Sequence, residues 1–203
     1  MDNCIIINNQ KIELTPEQIE KIVAAHQASN IKLAEVQAGE TFKLGEYEFV
    51  VLEQFADTAD VILRGLLPDT VRFGKNNNYN GSNADEECQS FAQKLAGIIG
   101  WENILLHGVD LTSDDGLKDY GVIERRVSSI TAQMYRRYVE VLDKYKPDEW
   151  WWLATPFSTE RHNNTSWVKC VSPSGCVNYD SCDYFDFGVR PFCILKSTIF
   201  VSK

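Results

Sequence analysis

Trp150-Trp151-Trp152-Leu153-Ala154-Thr155-Pro156 and, nearer the C-terminus, Gly188-Val189-Arg190-Pro191-Phe192-Cys193-Ile194-Leu195 are the two runs from which the fold can be read. Both are short apolar runs bounded by turn formers, the pattern of strands with covered faces. Successive side chains on a strand alternate sides, so Trp150 and Trp152 share one face and Trp151 takes the other. Each face must then be covered or serve as a binding surface. Arg190 stands between Val189 and Pro191, where a cation needs a carboxylate or several carbonyls. It reads as a residue that pins a loop, ahead of a ligand contact, and Gly188 reads as a backbone requirement. Trp150, Trp152, Gly188, Arg190 and Pro191 are therefore expected to be scaffold, with Trp151 or Trp167 as the tryptophans left to meet a ligand.

Upstream, residues 131 to 144 predict a helix with Met134, Tyr138, Val141 and Leu142 inward and Arg136, Arg137, Glu140 and Lys144 outward. Ala84 to Ile99 predicts another, with Cys88, Phe91, Leu95 and Ile98 on one face and Gly97 and Gly100 closing it. The stretch from Gly74 to Asn83, rich in asparagine, and that from Asp110 to Asp119 are turn-rich loops. Tyr47 to Phe55 and Val61 to Leu63 are β-branched and aromatic strands. Strands, then two helices, then strands is the order of an α+β fold rather than of alternating βαβ units.

The N-terminal residues follow a different plan. Ile5 to Ile7 and Lys11 to Leu14 flank Asn8-Asn9-Gln10 as a hairpin or an extended arm. Thr15-Pro16-Glu17-Gln18 holds the residues of a capping box, opening a helix to about Ala28 with Ile19, Ile22, Val23 and His26 on one face. One short amphipathic helix cannot bury its own stripe. The chain thus divides into an arm, residues 1–35, and a main domain, residues 36–203, with the arm packed on that domain or across a homodimer.

Composition bounds the function. At 203 residues and 44% hydrophobic, the chain can bury one real core and fits one domain with an arm. Its 29 acidic against 20 basic residues give a net charge of -9, which opposes approach to nucleic-acid phosphates. The N-terminus lacks the positive region and long apolar run of a signal peptide, and no run approaches the roughly 18 apolar residues of a spanning helix. The expectation is cytoplasmic synthesis without membrane insertion, with virion association as an open alternative.

The C-terminal runs, together with Trp167-Val168-Lys169-Cys170-Val171, Pro173-Ser174-Gly175 and Cys176-Val177-Asn178-Tyr179, have an order and spacing that resemble a known pattern. It is that of the Trp-Trp-Leu…Gly-Val-Arg-Pro domains of Firmicutes and their phages. Those domains are similar to C-type lectins, to formylglycine-generating enzymes and to the variable proteins diversified by retroelements. The likeness covers mainly residues 149–203, fits the helices loosely and leaves the arm outside. It implies an α+β, C-type-lectin-like fold with mixed twisted sheets, two main helices and an irregular C-terminal β region.

The resemblance also implies where a ligand would sit. Cys176 to Phe187 contains only residues reachable from the asparagine codon AAC by replacing its adenines. Adenine-specific mutagenesis leaves that imprint on surface positions of retroelement-diversified proteins. Interleaved Tyr, Asp, Asn and Ser are also the chemistry of a paratope, and an ordinary polar strand and loop is the plain alternative. The candidate ligand-binding residues, in a segment near 157–187, are His162, Asn163, Asn164, Ser166, Trp167, Asn178, Tyr179, Asp180, Ser181, Asp183, Tyr184 and Phe185.

Catalytic and metal chemistry finds less support. Six cysteines, four of them between Cys170 and Cys193, lack the Cys-x-x-Cys knuckle of structural zinc and are taken as reduced thiols ahead of a metal site or bridges. His26, His107 and His162 lie in separate segments without ligand spacing. Asp110, Asp114, Asp115 and Asp119 form an oxygen-rich loop that departs from the twelve-residue calcium pattern and lacks its terminal Glu. Related formylglycine-generating enzymes direct attention to Cys176, Cys182 and Cys193, but no cluster of Lys, Arg or His surrounds them in sequence. The expectation is a protein without enzyme activity, cofactor or metal, of phage or prophage origin, presenting a hypervariable-type surface to a protein or glycan. The alternative is a phage accessory protein that inhibits a host defence factor such as a CRISPR or restriction nuclease.

Overall fold

The computed structural model describes residues 4–7, 10–19 and 30–203. In the arm, β1 (Cys4–Ile7) pairs antiparallel with β2 (Gln10–Glu13). Thr15 N then donates to Gln18 Oε1 at 2.9 Å and Gln18 N to Thr15 Oγ1 at 3.2 Å, a reciprocal capping box, and residues 16–19 are helical. The rest of the helix expected to reach Ala28, with Ile22, Val23 and His26, lies outside the described residues.

The main body begins with β3 (Asn30–Lys32), β4 (Thr41–Leu44), β5 (Tyr47–Gln54) and β6 (Thr58–Leu63), followed by helix α1 (Asn83–Ile99). Next come β7 (Ile104–Leu105), the ribbon β8 (His107–Asp110) and β9 (Val122–Arg125), and β10 (Val127–Ser129). Helices α2 (Ala132–Arg137) and α3 (Val139–Leu142) precede β11 (Trp151–Pro156), β12 (Trp167–Val171), β13 (Val177–Ser181), β14 (Pro191–Lys196) and β15 (Phe200–Ser202). The result is a mixed α+β fold, mostly strands with two main helical segments.

The largest sheet has the order β10-β14-β6-β5-β4-β15-β3, with β7 also on β14. A second sheet has the order β11-β12-β13. Because β3 pairs with β15 and Leu33 is fully buried, residues 30–35, which the sequence assigns to the arm, pack with the body.

Alternation along β5 and β6 sends Phe49, Val51, Val61 and Leu63 into a core with α1, and Val50, Leu52 and Ile62 into a second core with α2 and α3. Each fully buried side chain of this kind contributes about 1.5–3 kcal/mol. On α1 the buried row is Ala84, Cys88, Phe91, Ala92, Leu95 and Ala96. Ile98, expected on that face, is exposed: the buried row runs through Ala92 and Ala96, and Ile99 packs against the core in its place. The helix expected over residues 131–144 is broken at Tyr138, whose φ of -105° and ψ of 14° separate α2 from α3. The cause is tertiary: the Tyr138 hydroxyl is drawn to Glu53 and Asp60, at 2.8 and 2.9 Å.

The tryptophan run behaves as its alternation requires. Trp152 lies in the α1 core, and Trp150 is half-buried beside it, stacked on Phe187 at 5.4 Å. Trp151 is buried in the other core against Tyr135, so it is scaffold and not a ligand contact. Arg190 is buried and meets no carboxylate among the described residues. Instead Nε donates to Leu63 O at 2.9 Å, Nη2 donates to Arg64 O and Tyr145 O, and the guanidinium lies 5.4 Å from the Trp151 ring. Burial pulls its pKa down to about 10, which leaves it a cation at neutral pH. Pro191 opens β14, buried opposite Ser129.

Gly188 is required by a close approach. Its N–H donates to Trp150 O, its carbonyl accepts from Trp152 N, and a Cβ would stand 2.5 Å from Leu66 Cδ1 and 3.2 Å from Leu66 Cβ. Gly188→Ala is expected to destabilise the fold by about 1–3 kcal/mol through overpacking. A urea midpoint equal to the parent's would refute this.

Candidate ligand-binding surface

The three-stranded sheet sorts its side chains by face. Register pairs Val168 with Asp180 and Cys170 with Asn178, and Val168 and Cys170 face the α1 core. The opposite face carries Trp167 beside Ser181 and Lys169 beside Tyr179. The Tyr179 ring packs against Phe157 at 4.7 Å and edge-on to Trp167 at 5.4 Å. Trp167 stays 40% exposed and Tyr179 48% exposed, so the cluster presents its rings to solvent. Beneath it, Lys169 Nζ lies 5.6 Å from the Tyr179 ring centre and 3.2 Å from Asp114 Oδ2.

A second aromatic pair follows β13. Tyr184 and Phe185 stack at 6.0 Å and are 42% and 63% exposed, while Tyr184 also leans on Phe187. Within the segment 176–187 only Cys182 and Phe187 are buried, and they anchor its end. Cys182 N donates to Ser166 O and its carbonyl accepts from Gly74 N. Asp183 lies 3.7 Å from Arg72.

The 158–167 segment is fastened from two directions. The acidic loop weighed above as a calcium site bonds instead to this segment and its neighbours. Asp114 meets Arg136 and Lys169, Asp115 accepts from Ser158 at 2.6 Å and pairs with His162 Nδ1 at 2.8 Å, and Asp119 meets Thr159 and Arg161. Desolvation raises the Asp115 pKa, but hydrogen bonds from Ser113, Ser158 and His162 outweigh it and bring the group to about 2. Among the described residues no three His, Cys, Asp or Glu side chains converge as a metal would need.

From the other side comes Asn77, fully buried at the centre of the asparagine-rich loop. Its Nδ2 donates to the carbonyls of Ser158, Asn164 and Trp167 at 2.9, 3.3 and 3.0 Å, and its Oδ1 accepts from Tyr120 Oη at 2.7 Å. Asn77 N adds a bond to Thr165 O. One side chain thus serves three carbonyls of a segment that is largely irregular until β12 begins.

The expected ligand contacts divide accordingly. Trp167, Asn178, Tyr179, Asp183, Tyr184 and Phe185 are exposed, as are Asn163, in the left-handed region at φ 54°, and Ser166. Asp180 and Ser181 are half-buried, Asp180 Oδ1 accepting from Ser181 N. His162 is committed to Asp115 and half-buried Asn164 lends its carbonyl to Asn77, so both hold the surface in shape. Asn77, Tyr120 and Lys169 were not singled out as site residues by the sequence, and Asp115 was singled out only for a cation, because their partners lie far along the chain. Lys169 carried the only local sign, a cation inside an apolar strand.

The buried thiols are held in the protonated form, which is poorly suited to nucleophilic work. Burial pushes Cys170 up to about 12 and raises Cys182 and Cys193, and Cys176 is the exposed one among the described residues. Among those residues no helix is long and apolar enough to cross a membrane.

No family model, curated protein or solved structure matches the chain.

Proposed function

We propose that this chain is a ligand-binding protein without catalytic activity, built on a C-type-lectin-like scaffold of phage or prophage origin. It presents the 157–187 face to a protein or glycan. The observation that carries this is the exposed aromatic cluster of Trp167 and Tyr179, with Tyr184 and Phe185 after it, on backbone fixed by Asn77 and the acidic loop. Rigid rings offer contact area at low entropic cost, while neighbouring Asn, Asp and Ser supply adaptable hydrogen bonds. Buried thiols and carboxylates engaged in internal bonds favour recognition over chemistry.

A panel of displayed protein ectodomains and a glycan array tests the proposal. Tyr179→Ala and Trp167→Ala are each expected to weaken a recovered ligand by about 2 kcal/mol or more, near 30-fold, with thermal stability little changed. Trp101→Ala, an exposed aromatic elsewhere, is expected to leave binding intact. A ligand that responds to Trp101 and ignores the other two would refute the assignment. Sequencing related loci tests the diversification component, which an invariant 176–187 segment would remove.

The second proposal, an inhibitor of a host defence nuclease, draws on the net charge of -9, which suits a basic nucleic-acid-binding protein. Salt-sensitive capture of such a nuclease by the wild type, unaffected by Tyr179→Ala, would favour it.

A further inference from the structure

At the break between α2 and α3, the Tyr138 hydroxyl lies 2.8 Å from Glu53 Oε2 and 2.9 Å from Asp60 Oδ2. A phenol has one proton. With both carboxyl groups ionised that proton is shared in a weaker three-centre bond, and both contacts become full hydrogen bonds only when one of the two carries a proton of its own. Arg137 Nη2 selects between them, forming a 2.6 Å ion pair with Glu53 Oε2 and leaving the buried Asp60 as the proton's site.

We propose that Asp60, Tyr138 and Glu53 form a directional relay that closes when Asp60 takes up a proton, so that mild acid tightens the α2–α3 joint. In the closed form Asp60 Oδ2 donates to Tyr138 Oη, which donates to Glu53, and Arg137 donates to the same carboxylate. In the open form two carboxylates on paired positions of β5 and β6 face one hydroxyl proton.

The groups around Asp60 fit this assignment. Helix α2 contributes Arg137, and Tyr138 follows it; β5 contributes Glu53. Strand β14 places the uncharged Ile194 opposite Asp60, the buried thiol of Cys193 beside it, and Lys196 two residues along. Burial raises the Asp60 pKa, the Tyr138 hydrogen bond opposes that rise, Glu53 adds to it, and Arg137 opposes it. The joint bears on the recognition face, since Tyr135 Oη of α2 donates to Gly175 O in the turn between β12 and β13.

The sign follows from linkage. An acid whose folded pKa exceeds its unfolded value binds more protons in the folded state. Stability from this group therefore rises as pH falls through the folded pKa and levels off near the unfolded value of about 3.9. One such proton changes the unfolding constant by at most tenfold per pH unit.

The experiment is urea unfolding of wild type and Asp60→Asn between pH 7.5 and 4.5, with a carbon-13 titration of the Asp60 carboxyl in the wild type. Asparagine supplies the donor permanently. Asp60→Asn is expected to match wild type at the acid end and to exceed it at the neutral end, and the Asp60 titration midpoint is expected above 3.9. Parallel pH profiles for the two proteins, or a midpoint at or below 3.9, would overturn the relay. The carboxyl titration needs no variant, so a failure of Asp60→Asn to fold leaves the test intact.

Discussion

Asn77→Asp is expected to cost about 3–5 kcal/mol of folding stability, although it exchanges one amide group for an isosteric carboxyl. The position is fully buried, and the lost Nδ2 donated to three carbonyl oxygens. A carboxylate there would face those oxygens with no proton to share, so it must either stay charged with Tyr120 Oη as its donor and no cation beside it, or take up a proton and supply at most one of the lost bonds. Asn77→Ala should be milder, at about 2–4 kcal/mol, because it removes the shared donor of the three carbonyls and the acceptor of Tyr120 Oη without adding a charge, and Trp167 O keeps its bond from Phe157 N. Urea unfolding gives the global loss. Amide exchange of residues 158–167 gives the local one, and the prediction includes faster exchange there than across β5. A loss below 1 kcal/mol for the aspartate variant would show that the segment does not depend on this clamp.

Asp85→Ala is expected to be comparably severe. Asp85 lies in the first turn of α1, 2% exposed, and its carboxylate accepts from Arg125 Nε at 2.8 Å and Nη2 at 2.7 Å, from Gly81 N and from Gln89 Nε2. Truncation leaves the Arg125 guanidinium, whose side chain is 20% exposed, without a carboxylate and with only Asn80 Oδ1 and Glu124 O to donate to, and it removes the tie between α1 and β9. Breaking one side of such a pair costs about 3–5 kcal/mol, which for a chain of this size lowers the melting temperature by about 10 °C. The loss should change little between low and moderate salt, since the pair is shielded from solvent. Calorimetry at two ionic strengths checks both points, and a shift that disappears in salt would mark the bridge as an ordinary surface pair.

What the sequence could reveal was whatever period and local chemistry encode. The Trp150-Trp151-Trp152 run assigned its own faces, because a strand alternates with a period of two whatever it packs against. The capping box at Thr15 and Gln18 involves residues three apart, and the α1 stripe needed only helical spacing. The carbonyl partners of Arg190 were legible in kind, because a buried cation between apolar neighbours must find oxygens, but not in place, since Leu63 and Tyr145 lie far along the chain.

Other features were hidden for the same reason. Asn77 sits in a loop whose Asn and Gly content signals only turns, and its partners are more than 80 residues away. Tyr138 satisfies helical period, so nothing local shows that two carboxylates on β5 and β6 will break the helix there. The acidic loop's role was hidden too, because a spacing pattern that departs from the calcium one cannot show Arg136, Arg161 and Lys169 arriving from elsewhere.

The pairing of β3 with β15 bears on how the body can be carried. Asn30 stands opposite Ser202, and the Ser202 hydroxyl donates to Asn30 Oδ1 at 2.8 Å, so the incoming and outgoing backbone share one corner. Tension applied between them would load these antiparallel strands as a zipper, one rung at a time, rather than in shear. A tether at that corner would therefore unpeel the sheet margin at low force.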